Sequence, residues 1–414
     1  MKSEAIFSAL DPGGSARRVV RGRAFRCLMA IAIVAGACCL FVTAGADQVT
    51  FGIVPSPDNW ALGDSLAGVS CVSADMCVAV GTTGDDPYQE NASGTLAELW
   101  NGSEWSLSPS LNPEFAKGNS FSGVSCPAVD DCVAVGSAEG SPLVETWNGS
   151  TWSVSLADEN SGGLASVSCP DVNDCVAVGS FLDRSYGAYV SFAEVWNGLQ
   201  WTQYDFFYPG YQLNSVSCAP ASNCLAVGSI VESWNGSFWN QIGTGEFNGV
   251  SCVAVNDCDV TGEDAQGADI ESWDGSSFTD VPVAEVPGSD LFSVSCVGSL
   301  DNCTAAGTSD EGVQTLVETD TGGAWSTVSS ANEGTGEAQL QGISCTDAGL
   351  CEAVGYYRDE PSGDTQTLAE NNLAGPPAET PEVPYAVALP FFGLAAWGVS
   401  TTSVRRRKRQ PDSR

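Results

Sequence analysis

Seven times along the chain a Val-Ser-Cys or Ile-Ser-Cys triplet is followed by a second cysteine and a short, mostly apolar run ending in glycine. The leading cysteines are Cys71, Cys126, Cys169, Cys218, Cys252, Cys296 and Cys345, so the spacings are 55, 43, 49, 34, 44 and 49 residues. A period of about 46 lies in the range of propellers and solenoids. Such a unit buries its apolar face only by stacking on its neighbours, so the repeats make one body rather than the two or three domains that 414 residues would otherwise suggest.

Each repeat predicts four short strands. In the first repeat they are Leu66–Cys71, Cys77–Gly81, Thr95–Trp100 and a strand beginning at Trp105, with Asn101-Gly102 between the last two. Asn-Gly is a strong hairpin signal because a type I′ turn needs positive φ at both central residues. It recurs at Asn148-Gly149, Asn197-Gly198 and Asn235-Gly236, followed by Asp274-Gly275, and no helical periodicity interrupts residues 47–373. Four strands per repeat describe propeller blades. The seventh repeat ends at Asn372 without its fourth strand, whereas an orphan strand, Val49–Pro55, precedes the first cysteine. The fold expected is therefore all-β, a seven-bladed propeller of four-stranded blades closed by the N-terminal strand, which hides two sheet edges.

The paired cysteines stand across hairpin tips, where disulfide geometry is met, so bridges are expected at Cys71–Cys77, Cys126–Cys132, Cys169–Cys175, Cys218–Cys224, Cys252–Cys258, Cys296–Cys303 and Cys345–Cys351. They need an oxidising compartment. Residues 1–46 supply the export signal: a basic cluster from Arg17 to Arg26, an apolar core over 27–44 and Ala44-Gly45-Ala46 as a cleavage site. At the other end a Pro-rich linker over 374–384 leads into an uncharged segment, 385–404, and the basic tail 405–414, which starts Arg405-Arg406-Arg407-Lys408-Arg409. That order is a stop-transfer transmembrane helix with a cytoplasmic tail. The expected location is the extracellular face of the cell membrane, with the membrane contacted through the C-terminal segment. With its Cys-x5-Cys pairs and Trp-Asn-Gly turns, the stretch 47–373 resembles the seven-bladed β-propellers of secreted bacterial, actinobacterial-type, surface proteins. The resemblance is specific for architecture and weak for function.

Composition excludes more than it selects. Of 51 Asp and Glu all but three lie within residues 47–384, against only Lys117, Arg184 and Arg358. Such a field repels phosphate backbones, so nucleic acid is not a partner. The chain has no histidine, which removes the commonest general base and zinc ligand. Serine and cysteine nucleophiles then lack their base. No metal and no cofactor are expected. Acidic loops such as Gly84-Asp85-Asp86-Pro87 and Gly262-Glu263-Asp264 match no full calcium-ligand loop.

A glutamate recurs two residues before the repeat tryptophan, at Glu98, Glu145, Glu194, Glu232 and Glu271, with Glu318 and Glu370 equivalent. On third strands these side chains do not converge. They are expected to accept hydrogen bonds from turn amides or indole N–H groups, and the tryptophans to pack between blades. Binding is expected instead in the variable segments of the third repeat, where aromatics lie beside charge: Arg184, Tyr186 and Tyr189 in one loop, and Phe206, Phe207, Tyr208 and Tyr211 in the link to the fourth repeat. A smaller loop, Tyr356 to Glu360, follows the seventh pair. The function read from this is a monomeric, surface-anchored module that recognises an extracellular glycan or protein. A carbohydrate-active enzyme using paired carboxylates and a purely structural surface protein are the alternatives.

Overall fold

The computed structural model describes residues 49–373 apart from 58–62, 85–92, 113–117, 156–161, 207, 285, 310–311, 334–335, 348 and 360–362. The signal segment, the Pro-rich linker, the apolar segment and the basic tail lie outside the described residues. Among the described residues no helix is long and apolar enough to cross a membrane.

The repeats fold into seven four-stranded antiparallel sheets. Their first strands contact one another in sequence order, and the last contacts the first, so the blades form a closed propeller. In the first blade the strands are Ser65–Ser73, Met76–Thr83, Gly94–Trp100 and Trp105–Leu107. The seventh blade takes three strands from its own repeat, Ala338–Cys345, Cys351–Asp359 and Asp364–Asn371, and its outermost strand, Gly52–Ile53, from the N-terminus. Gly52 pairs with Asn371 and Ile53 with Glu370, while Phe51 is buried against the seventh blade's core. All seven disulfides form as the cysteine pairs predict.

Each letter of the repeated triplet has a separate structural task. The valine or isoleucine is core, the cysteine is bridged, and the serine joins blade to blade. Ser70 Oγ accepts the amide N–H of Cys126 in the next blade, and Ser125, Ser168, Ser217, Ser251, Ser295 and Ser344 do the same for Cys169, Cys218, Cys252, Cys296, Cys345 and Cys71. Seven bonds of 2.9–3.1 Å thus close a ring around the axis. The glycine that ends the apolar run of the second strand faces a bulge in the first strand of the same blade, as between Leu66 and Gly68. A Cβ at Gly81 would stand 1.9 Å from Ser65 O, so no larger residue fits opposite the bulge.

The Asn-Gly turns depart from the type I′ expectation. Only the glycine takes positive φ, 89° at Gly102 and 85° at Gly149. The asparagine acts through its side chain: Asn101 Oδ1 accepts the amides of Ser103 and Glu104, and Asn148, Asn197, Asn235 and Asp274 repeat the arrangement. A side-chain acceptor replaces the backbone carbonyl, which is why Asp274 serves as well as Asn.

Tryptophans flank the four Asn-Gly turns in cross-strand pairs, such as Trp100 with Trp105 at 5.6 Å and Trp147 with Trp152 at 5.5 Å between ring centroids, and Trp273 with Phe278 flanks Asp274-Gly275. The second pair packs on Val78 and Val80 of the first blade, so these rings fill the seams between blades as expected.

Candidate functional site

The axial channel is an unpromising site. Its walls include Gly68, Gly123 and Gly342, and a Cβ on Gly342 would come within 3.0 Å of the Gly68 Cα. Its volume of about 140 Å³ suits a few waters rather than a ligand. The calcium-type segment Gly262-Glu263-Asp264 is the end of a strand, Asp257–Asp264, and Asp264 Oδ1 caps the following hairpin through the amides of Gln266 and Gly267. Asp85 and Asp86 lie outside the described residues. Asp259 sits beside Cys296 and Cys303, but those sulfurs are bonded to each other and offer no thiolate.

The recurrent glutamates stand one to a blade on the third strands, and six of them are almost fully buried. Where their partners are clearest they hold the link arriving from the preceding blade. Ser56 Oγ donates to Glu98, the Leu111 amide to Glu145, and Ser330 Oγ with the Ala331 amide to Glu370. The serines are also tied to a threonine of their own blade, Ser56 to Thr367, Ser110 to Thr95 and Ser330 to Thr315. The partners are thus link amides and serine hydroxyls. The indoles bond elsewhere, Trp100 Nε1 to Ala74 O and Trp152 Nε1 to Ser108 Oγ. Burial lifts the Glu370 carboxyl to about 8 despite those donors, and Glu145 to about 7.

The link that reaches blade four carries no such serine. Counting five residues on from the ring at the start of the outermost strand, Phe51, Trp105 and Trp325 lead to Ser56, Ser110 and Ser330, whereas Trp152, Trp239 and Phe278 lead to Ala157, Thr244 and Val283, and Trp201 leads to the large ring of Phe206. The latch hydroxyl is replaced by a phenyl ring. Glu145 and Glu370 each keep one buried oxygen without a partner but have a donor on the other, whereas Glu232, 1% exposed, has an unpartnered Oε1 and no donor among the described residues, and burial alone raises its carboxyl to about 7. Phe206 instead packs edge-on against Trp239, with centroids 5.4 Å apart at 82°.

The result is a cleft of about 360 Å³ between the outermost strands of blades three and four, Trp201–Asp205 and Trp239–Gly243. Tyr204, Asp205, Phe206 and Tyr208 form the side contributed by the third repeat. Glu232, Phe238, Trp239 and Gln241 form the other, with Gln241 paired in register opposite Glu232. Trp239 Nε1 is a second buried polar atom without a partner.

The residues expected to bind are distributed around blade three. Phe206 is buried, Phe207 lies outside the described residues, and Tyr208 is exposed at the cleft. Ser180–Asp183 and Ala188–Tyr189 are not loop but the ends of two long strands, joined by a turn in which Asp183 Oδ1 accepts the Ser185 amide. Arg184 and Tyr189 line a second hollow of about 300 Å³ against blade two, and Tyr186 stands exposed at the hairpin tip. The two segments do meet. The Gly210 amide donates to Tyr189 O and Ser191 Oγ to Tyr211 O, which pins the link against the third strand. Tyr356–Asp359 likewise belongs to a strand, Cys351–Asp359, and Arg358 pairs with Glu337 at 3.4 Å.

The side of the cleft formed by Glu232, Phe238, Trp239 and Gln241 was not expected to bind, because binding was sought in the variable segments of the third repeat. The signal available was Phe206, the one aromatic residue at a link position that holds Ser, Ala, Thr or Val in the other repeats.

No protein-family model matches the chain, and no curated protein matches it in sequence. By fold it is similar to the solved structure of U3-55K, with a TM-score of 0.54 and 10% identity over 78% of this chain and 98% of that one. Matches extend to 469 solved chains, so the scaffold by itself carries no information about a ligand.

Proposed function

We propose that this protein is an exported, surface-displayed binding module that recognises an extracellular glycan or protein through the cleft between blades three and four. The observation that carries the reading is Glu232, a buried carboxylate without a donor among the described residues, beside aromatic rings at a link that carries Phe206 where three other links carry serine. Repeats that serve the scaffold are alike, and a binding site is where one of them departs from the rest. Aromatic walls with a few polar groups are the common composition of ligand clefts. Seven disulfides favour an oxidising compartment, and the basic and apolar ends of the chain favour export with a membrane anchor. The distribution of the recurrent glutamates, one per blade, supports binding over two-carboxylate hydrolysis.

The test is a combined glycan and peptide array probed with the purified protein and with Phe238→Ala, a change at a side chain 56% exposed. Hits that the variant loses support the cleft. Hits that it retains at full strength place recognition elsewhere.

A further inference from the structure

Resting on that reading of the cleft, we propose that its ligand is a positively charged side chain of a partner protein, a lysine ammonium or arginine guanidinium held between the aromatic rings and Glu232. The rings supply electron-rich faces, which attract a cation whether or not it is paired. Tyr204, Tyr208, Phe238 and Trp239 all border the cleft, and Tyr208 and Phe238 are exposed enough to meet an incoming group.

Glu232 supplies the second element. A buried carboxylate is costly unless a donor or a cation meets it. In blades one, two and seven a link hydroxyl or amide does so from within the chain; in blade four the phenyl ring of Phe206 cannot. A ligand bringing N–H donors and positive charge satisfies the need that the fold leaves open. Trp239 Nε1, unpartnered like that of Trp105, Trp147 and Trp325, is the one at the cleft among the described residues, where a peptide carbonyl next to a cationic side chain can accept from it.

Long-range charge selects in the same direction. Among the described residues the only basic side chains are Arg184 and Arg358, and Arg358 is already paired with Glu337. The surrounding field therefore draws cations in, and Asp205 adds to it at the cleft itself.

Calorimetric titration of the purified protein tests this with N-acetyl-lysine amide and N-acetyl-arginine amide. The norleucine and citrulline analogues serve as uncharged controls, and a neutral trisaccharide is the competing chemistry. Both cations should bind and both controls fail by at least about tenfold in Kd, with binding weakened by added salt. Glu232→Gln should lose about tenfold, and Phe238→Ala, an exposed change that leaves the fold intact by near-ultraviolet circular dichroism, a lesser factor. Equal binding of citrulline and arginine analogues overturns the proposal. So does cation binding that neither variant alters. If the trisaccharide binds, the cations do not, and Phe238→Ala abolishes the sugar signal, the cleft stands as a binding site and only the cationic ligand falls. If no probe binds at about 10 mM, the cationic ligand is rejected; whether the cleft binds at all then rests on the array.

Discussion

The amide of Cys71 donates to Ser344 Oγ at 3.0 Å, joining residues 273 apart in sequence. It is the same bond that links every other pair of neighbouring blades, but here it ties the first repeat to the last. The ring of serines is therefore complete, and the serine of each Val-Ser-Cys triplet is there for its acceptor rather than for chemistry.

Replacing that acceptor should be felt. Ser344→Ala leaves the Cys71 N–H without its partner in a part-buried seam and should lower stability by about 1–2 kcal/mol. Ser125→Ala, which strands Cys169 in the same way, should cost a similar amount. Denaturant unfolding of both variants decides the point; no change in either midpoint would show that water takes over the bond.

Ring closure makes a second expectation. Deleting residues 49–56 removes buried Phe51, the strand paired to Glu370 and Asn371, and the Ser56 latch on Glu98. The strand Asp364–Asn371 then becomes an open edge. The variant should melt at lower temperature and associate, seen by light scattering. A monomer of unchanged melting temperature would mean that the N-terminal strand is dispensable.

Buried carboxyls set the pH dependence. Burial raises Glu370 to about 8 and Glu145, Glu232 and Glu352 to about 7, from an ordinary 4.5. Each binds its proton more tightly when folded. The resulting stabilisation is fully present below the unfolded value of about 4.5 and is lost as pH rises through about 7 to 8. The melting temperature should thus be higher near about pH 5 than near about pH 8.5, and Glu370→Gln should narrow the difference. A melting temperature that rises over this range contradicts the assignment.

Surface display predicts protease sensitivity on intact cells. Protease added outside should release a soluble fragment carrying all seven disulfides, cut near the Pro-rich stretch around Pro376. Full-length protein recovered only from the cytosol would refute export.

Much of this was readable from the chain itself. Repeat number, strands, disulfides and the loan of the N-terminal strand follow from the Cys pairs, the paired tryptophans and the missing strand after Asn372. These are local patterns: a hairpin tip or a cross-strand pair is decided within a few residues. The serine ring, the bulge opposite Gly81 and the glutamate latches were not readable, because each joins a residue to a different blade or fixes a backbone approach of ångströms. The cleft belongs to the same class. Tyr204 and Phe206 lie about thirty residues before Glu232 and Trp239, and only the seam between blades makes them one surface. The sequence determines how each blade is built, since that depends on neighbours along the chain. The tertiary structure decides which polar group is left unsatisfied, since that depends on what the next blade brings: a serine hydroxyl at Glu98 and a phenyl ring at Glu232.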